Sequence, residues 1–437
     1  MLRIMGLILI SLICLQSRVT ADEPDAASAE VKQAVTRLIQ KLDDNQRSVR
    51  QQAELKLVEL GKPVLTLLPP PELVSSQSVR EALVRVRLQI EKQAARESIQ
   101  ASRINLTGRF TLKHILQEIS QQTGNQLDLT HLSDTQLKQR LNVRFDNTSF
   151  WKAIDDLSTK QMLVYRINGP RDQLQFLEQS ADQRQTSPAN PKVCYNGPFR
   201  ISIDDLQSRP LAGSPDRELL RITFLIQAEP RLRPLFLSYA ASKLKAQGVS
   251  GMSLPPFNPS AKYELPLGEG GKNLKFTMQW ILNSKERPPQ VKVQGNLEME
   301  LAAETLPITF DDLTRSQGAV RRRGNVSVEL IETERTNQDL NVRIALSYDY
   351  GGPAFESHRT WIYHNRAYLE DAQGKKFWLD GSSQTTLESM GKIGVLYRFR
   401  NLPTSASKFG FTYLAPTLIT AAPIELNFDQ LKLTESK

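Results

Sequence analysis

The sequence predicts a multidomain α+β chain: helices first, then a small β-α-β/β-α-β unit, then two β-sandwich domains. Three observations carry this. Apolar residues recur at helical spacing through the first hundred positions. The stretches "TLKHILQEIS" (from Thr111) and "SFWKAIDDLS" (from Ser149) share one amphipathic pattern with almost no identity. Beyond residue 197 the apolar period becomes two.

The extreme N-terminus reads as a leader. Arg3 supplies a positive start, Ile4 to Leu15 is an apolar stretch of signal-peptide length, and Val19-x-Ala21 suits a small-residue cleavage site. Residues 1–21 are therefore expected to be removed, giving an exported chain that is soluble in the periplasm or beyond and has no transmembrane segment. The sequence has two cysteines. Cys14 lies in the leader, with bulky Ile13 before it, so a lipoprotein is the lesser reading. Cys194 is then left without an intramolecular partner. With 40% hydrophobic and 24% charged residues, the chain can fill several cores without bridges.

Residues 30–100 read as helices. Val31, Val35, Leu38, Ile39 and Leu42 share one face, and "DDNQ" interrupts it. Val49, Ala53, Leu57 and Leu60 define a second face, which Gly61 and Pro63 terminate. A third helix is expected from about Ser78 to Ser98. "VRQQAELKLVELGKPVLTLL" resembles a HEAT-type repeat, and "VREALVRVRLQI" looks like the start of another. That resemblance implies a small cap or docking surface.

Residues 102–178 contain the duplicated pattern. Leu112, Ile115, Leu116 and Ile119 answer to Phe150, Ala153, Ile154 and Leu157. Short alternating strands flank each helix: Ile104 and Leu106, Leu127 and Leu129, then Leu141, Val143 and Phe145, and Leu163, Tyr165 and Ile167. An apolar helix stripe covers one face of such strands, so two halves can close one core without help from their neighbours. "INLTGRFTLKHILQEISQQTGNQLDLTHL" followed by "LNVRFDNTSFWKAIDDLSTKQMLVYRI" resembles the short N-terminal domain shared by secretins and TonB-dependent receptors. The resemblance implies a periplasmic, partner-contacting domain. No secretin pore or receptor barrel pattern follows it.

"QSADQRQTSPANPK" reads as a linker, placed at residues 179–196. The strand-rich remainder repeats a hexad: "ISIDDL" at Ile201, "ITFDDL" at Ile308 and "LNFDQL" at Leu426. Their separation is that of sandwich domains. Two units follow, at residues 197–306 and 307–437.

Chemistry-bearing residues are sparse, and no catalytic, cofactor-binding or metal site is assigned. His114 and His131 fall in the duplicated unit, and His358 and His364 flank "RTWIY" without a third ligand at metal spacing. Asp204–Asp205 and Asp311–Asp312 read as turn residues at strand ends rather than calcium or acid–base pairs. Gly268 in "GEGG" precedes no helix, so it makes no phosphate cradle. Trp361, Tyr363, Tyr368 and Trp378 read as strand aromatics of a core; the alternative is a platform for a glycan. The formal charge is +9, with Arg321–Arg323 the only basic run, expected at a solvated strand edge or turn. An exported basic chain meets envelope proteins, or an anionic envelope polymer or glycan, and not nucleic acid.

The expected function is a non-enzymatic envelope interaction or scaffold protein without cofactor. The alternatives are a carbohydrate-binding or carbohydrate-acting protein, and a regulatory adaptor of a secretion or uptake machine.

Overall fold

The computed structural model describes residues 24–70, 73–168, 172–178, 192–249, 251–267, 273–324, 326–348, 362, 365–379, 383–389, 392–403 and 408–433. The leader expected at residues 1–21 and most of the linker, residues 179–191, lie outside them. The chain divides into two compact units, Met1–Ala94 and Ala95–Lys437. Among the described residues no helix is long and apolar enough to cross a membrane.

In the first unit, α1 (Pro24–Lys41), α2 (Arg47–Glu59) and a 3₁₀ turn (Lys62–Thr66) precede α3 (Gln77–Ser98), which continues past the division. Val35, Leu42, Ala53, Leu57, Val64, Leu83 and Val86 form its core. Leu60 departs from the expected second face: it is the C-cap of α2 and 39% exposed, while Val58 packs inward. Gly61 follows at φ 71°, a left-handed position that glycine takes without a Cβ penalty.

The second unit opens with β1 (Arg103–Thr111), α4 (Leu112–Thr123), β2 (Gln126–Asp128), α5 (Asp134–Lys138), β3 (Arg140–Ser149), α6 (Phe150–Gln161), β4 (Leu163–Asn168) and β5 (Gln173–Glu178). The two halves interleave. Each gives its first strand to an antiparallel β1–β3 pair and its second to a β2-β5-β4 sheet. Both apolar helix stripes lie in one core with Ile104, Val143, Phe145, Leu174 and Phe176. Trp151 and the partly buried Tyr195 join that core, which the helix pattern alone did not indicate.

The remainder is strand-rich. It begins with β6 (Val193–Asn196), β7 (Phe199–Leu211), β8 (Ser214–Ala228), β9 (Pro234–Ala240), β10 (Leu244–Gly248), β11 (Ser253–Leu254), β12 (Lys262–Pro266) and β13 (Asn273–Asn283). β6 lies within the expected linker: it is half-buried throughout, with Cys194 packed against one core and Tyr195 against another. The chain continues through β14 (Gln290–Phe310), β15 (Val320–Arg323), β16 (Val326–Thr336), β17 (Asp339–Tyr348), β18 (Ala367–Asp371), β19 (Lys376–Trp378), β20 (Ser383–Ser389), β21 (Lys392–Phe399) and β22 (Phe409–Lys432).

These strands form a four-stranded sheet (β13-β8-β7-β6), a five-stranded sheet (β15-β16-β17-β21-β20) and an eight-stranded sheet built around β14 and β22. The four-stranded sheet shares a core with one stretch of the large sheet, through Phe199, Phe224, Trp280, Leu301 and Phe428. The five-stranded sheet shares a second core with another stretch, through Val328, Ile344, Tyr397, Phe310 and Phe411. The division expected between residues 306 and 307 therefore falls inside β14. Both long strands serve both cores: β14 gives Met299 to the first and Ile308 to the second, while β22 gives Phe411 to the second and Ile424 to the first.

Inward positions are odd at Leu297, Met299 and Leu301 but even at Ile308 and Phe310. The pairing shifts by one residue on each side of Glu304. An extra residue resets the alternation, so the sequence changes phase while the sheet continues.

The repeated hexad marks a local need and not a domain boundary. "ISIDDL" meets a register shift between Ile203 and Asp205. "ITFDDL" runs out of β14 into a turn, where Asp312 Oδ1 accepts from the Thr314 amide at 3.0 Å. "LNFDQL" places Gln430 at φ 55°. In each case two inward apolar residues precede acidic or amide side chains suited to a bend.

Candidate functional site

The residues singled out by their chemistry are dispersed. Among the described residues no group of three His, Cys, Asp or Glu side chains is placed to hold a metal ion. His114 packs beside Phe110, ring centroids 5.0 Å apart. Asp204 pairs with Lys275 at 2.8 Å. His358, His364, Trp361, Tyr363 and Gly268 lie outside the described residues. Arg321–Arg323 sit on β15, an exposed edge strand of the five-stranded sheet. Charge on an edge strand discourages pairing with another chain.

Tyr368 and Trp378 pair across β18 and β19 on the side away from the core, ring centroids 4.9 Å apart. Arg366 lies over the Trp378 ring at 5.4 Å and Lys376 over the Tyr368 ring at 4.6 Å. Trp378 is 47% exposed. These two aromatics are therefore surface groups and not the core residues the sequence suggested.

Two polar clusters, one buried and one partly buried, tie the duplicated unit to the strands that follow it. The first surrounds Glu229, which is fully buried. Its carboxylate accepts from the Ser102 amide (2.9 Å), Ser102 Oγ (2.7 Å), Asn125 Nδ2 (3.2 Å) and Arg231 Nε (2.7 Å). Arg231 also donates to the carbonyls of Ser98 and Gln100, and its amide donates to Asn125 Oδ1 at 2.9 Å. A buried carboxylate is tolerated only with such complete bonding.

The second cluster surrounds Asp155 of α6. Tyr165 Oη donates to Oδ1 at 2.6 Å; Tyr195 Oη (2.5 Å) and Arg200 Nε (2.8 Å) donate to Oδ2. Arg200 Nη1 continues to Gln227 Oε1 at 3.0 Å. Burial first, then the adjacent carboxylate, pushes both phenols up, so both remain protonated donors at neutral pH. Burial works against the Arg200 charge, yet the surrounding phenols and carboxylate hold its pKa above the usual value. Beside this cluster Trp151 Nε1 donates to the Pro198 carbonyl at 3.1 Å. With both carboxylate oxygens occupied, Asp155 ties α6 to β4, β6 and β7.

The sequence carried a signal for the Glu229 cluster that periodicity does not register. Glu229, Arg231 and Arg233 interrupt the apolar run "ITFLIQAEPRLRPLFL". Charges embedded in such a run mark a paired, buried network. Burial lowers the Arg233 pKa, and its Nη2 donates to Asn365 Oδ1 at 2.5 Å. Asn365 in turn donates to Tyr413 Oη, whose pKa burial pushes up to about 12.

The β1–β3 pair is different in character. Its outward positions include Arg109 on β1 and Arg140, Asn142 and Arg144 on β3, all exposed. No ion pair engages Arg109, Arg140 or Arg144 among the described residues. At the Ile104/Leu106 register shift, Asn147 takes φ 46° and donates its amide to Asn105 Oδ1 at 2.8 Å. A shallow concavity of about 570 Å³ opens there, lined by Asn105, Thr107, Arg144 and Asp146. A second, of about 340 Å³, lies between β3 and α6.

No family model matches the chain, and no curated protein matches it. Among solved structures it is matched by the crystal structure of a conserved domain protein from Bacillus anthracis, at 10% identity. That match covers 54% of this chain and 89% of the other, with a TM-score of 0.16. A likeness at that level carries no argument about fold or function.

Proposed function

We propose that the protein is an exported, non-enzymatic interaction protein of the cell envelope, and that its duplicated α/β unit presents the partner-binding surface. The observation that carries this reading is the contrast within that unit. The partly buried Asp155 network and the buried Glu229 network fix it to the strand-rich body, while Arg109, Arg140 and Arg144 stand unpaired on its solvent face. Unpaired guanidiniums on a rigid ladder favour an anionic partner through charge complementarity. The resemblance to the short domain of secretins and TonB-dependent receptors supports the same role, and the leader supports the location. Residues 30–100 are read as a HEAT-like segment serving as a small cap or a docking surface. The sheets beyond residue 197 are read as two β-sandwiches sharing one large sheet.

The test is capture of defined envelope proteins by the full mature chain, compared with R109E/R140E/R144E. Loss of a reproducible partner in the variant is expected. An identical captured set, or turnover of an ester, peptide or glycan by the wild-type chain, overturns the reading.

A second reading rests on Tyr368 and Trp378. An exposed aromatic pair flanked by Arg366 and Lys376 suits an acidic glycan, with rings against the sugar face and cations against carboxylates. Titration with an oligouronide, reading Trp fluorescence in the wild-type chain and W378A, decides it. No saturable change removes the glycan reading.

A further inference from the structure

We propose that the groove between β3 and α6 takes an extended, acidic segment of a partner protein, which adds to β3 as a further strand. The proposal rests on the interaction reading above and names where, and by what chemistry, the partner is held.

The two outer edges of the β1–β3 pair differ. On β1, the α4 side chain Gln122 reaches the backbone: its Oε1 accepts from the Asn105 amide at 2.9 Å and its Nε2 donates to the Asn105 carbonyl at 3.2 Å. That edge is blocked at its bulge. On β3, the backbone from Asn142 to Phe145 meets no side chain among the described residues. Its outer edge therefore retains hydrogen-bonding capacity.

The groove of about 340 Å³ lies on that open side. Residues of β3, including Val143, Arg144 and Phe145, line it, as do Lys152, Asp156 and Lys160 of α6; no β1 residue does. The three α6 residues are four apart, so they form one stripe along the helix wall. An open strand edge beside a helix stripe is the arrangement used for strand addition: main-chain bonds supply affinity and side chains on the wall supply selectivity.

Charge identifies the occupant. Lys152 and Lys160 line the helix wall of the groove against a single carboxylate, Asp156, which Lys160 already pairs at 2.7 Å, and Arg144 lines it from the strand. Pairing with a second copy through β3 would bring Arg140 and Arg144 toward their own equivalents, and like charges opposed across strands are unfavourable. An acidic extended segment meets the opposite condition.

The experiment uses the full mature chain and a short capped peptide alternating Glu and Val. Controls are the same peptide with Lys for Glu and one with N-methylated backbone amides. The acidic peptide is expected to bind saturably, and K152E/K160E to weaken it by about tenfold or more. The Lys peptide should not bind, and N-methylation should abolish binding. Hydrogen exchange should slow at residues 142–146 on binding. Failure of the acidic peptide to bind, binding that survives N-methylation, or protection confined to other segments overturns the proposal. A chain that captures its partner through Arg109 and Arg140 yet ignores the peptide defeats the groove alone; one that does neither defeats the interaction reading as well.

Discussion

The two halves of the duplicated unit share a fold pattern and differ in what they touch. Ile115, Leu116 and Ile119 of α4 are buried as Ala153, Ile154 and Leu157 of α6 are. The position occupied by exposed Lys113 in α4 holds Trp151 in α6, which is 2% exposed. The position of Gln117 holds Asp155. The helices also end differently, α4 on Gly124 and α6 on Met162, both left-handed. The shared residues build the common core. Trp151 and Asp155 dock α6 onto β6 and β7, so these departures from the repeat mark one of the unit's two anchors, the other being Ser102 and Asn125 at Glu229.

The largest test of this comparison makes α6 resemble α4 at its docking face. W151K removes a buried indole and its bond to Pro198, and should destabilise the chain by about 3–5 kcal/mol. The counterpart K113A should stay within about 0.5 kcal/mol. Chemical denaturation of the full chain reads both. Similar losses in the two variants would show that the halves are not differently loaded.

D155Q, which copies Gln117, leaves Arg200 with a weaker, uncharged partner in a low-dielectric site. A loss of about 2–3 kcal/mol is expected from disrupting a partly buried, hydrogen-bonded ion pair. An unchanged unfolding midpoint would reassign the cluster from anchor to bystander.

Asp128, at the end of β2, tests the other half by pH. Thr130 Oγ1 and the Thr130 amide donate to Oδ1, and Gln175 Nε2 donates to Oδ2; the Thr130 bonds are the main reason its pKa is lowered. A carboxyl with a lowered folded pKa adds stability above its unfolded pKa, near 4, and loses it as pH falls through the folded value. D128N should therefore cost about 1–2 kcal/mol at pH 7, with the difference from wild type shrinking below about pH 4. A pH-independent difference would contradict the charge-based account.

The smallest effect is at the helix ends. Met162 holds φ 50° while 58% exposed, a conformation that costs a side chain about 1 kcal/mol. M162G should raise stability by about 0.5–1 kcal/mol, whereas G124A should lower it by a similar amount. Thermal melts of the two variants should move in opposite directions.

Much of the fold was legible because burial imposes periods. The helix stripes from Leu112 and Phe150, and the alternating residues of β7, β8, β13 and β14, fall where the sequence placed them. Trp151 was not legible as an anchor, because it lies beside Phe150 and outside the four-residue stripe of a helix with one buried face. β9 was not legible by alternation because it is buried on both faces over most of its length and so reads as an apolar run. The expected break at residue 306 failed for another reason: a one-residue shift around Glu304 changes phase much as a new strand would. The candidate groove was least legible, since it depends on which strand edge remains open, and that is set by pairing between residues far apart in the chain.

The sharing of β14 and β22 between two cores has a consequence for the order of assembly. The first core begins with strands near Phe199, yet Ile424, Leu426 and Phe428 complete it. Contacts this distant in sequence close late, because the intervening chain must first give up its freedom. A chain emerging from a ribosome or a translocation pore cannot finish its first strand-rich core until residues near 428 have cleared the exit. Until then, Phe224 and Trp280 lack part of their apolar cover. The incompletely synthesised chain thus leaves strand edges and aromatic surface without their native cover.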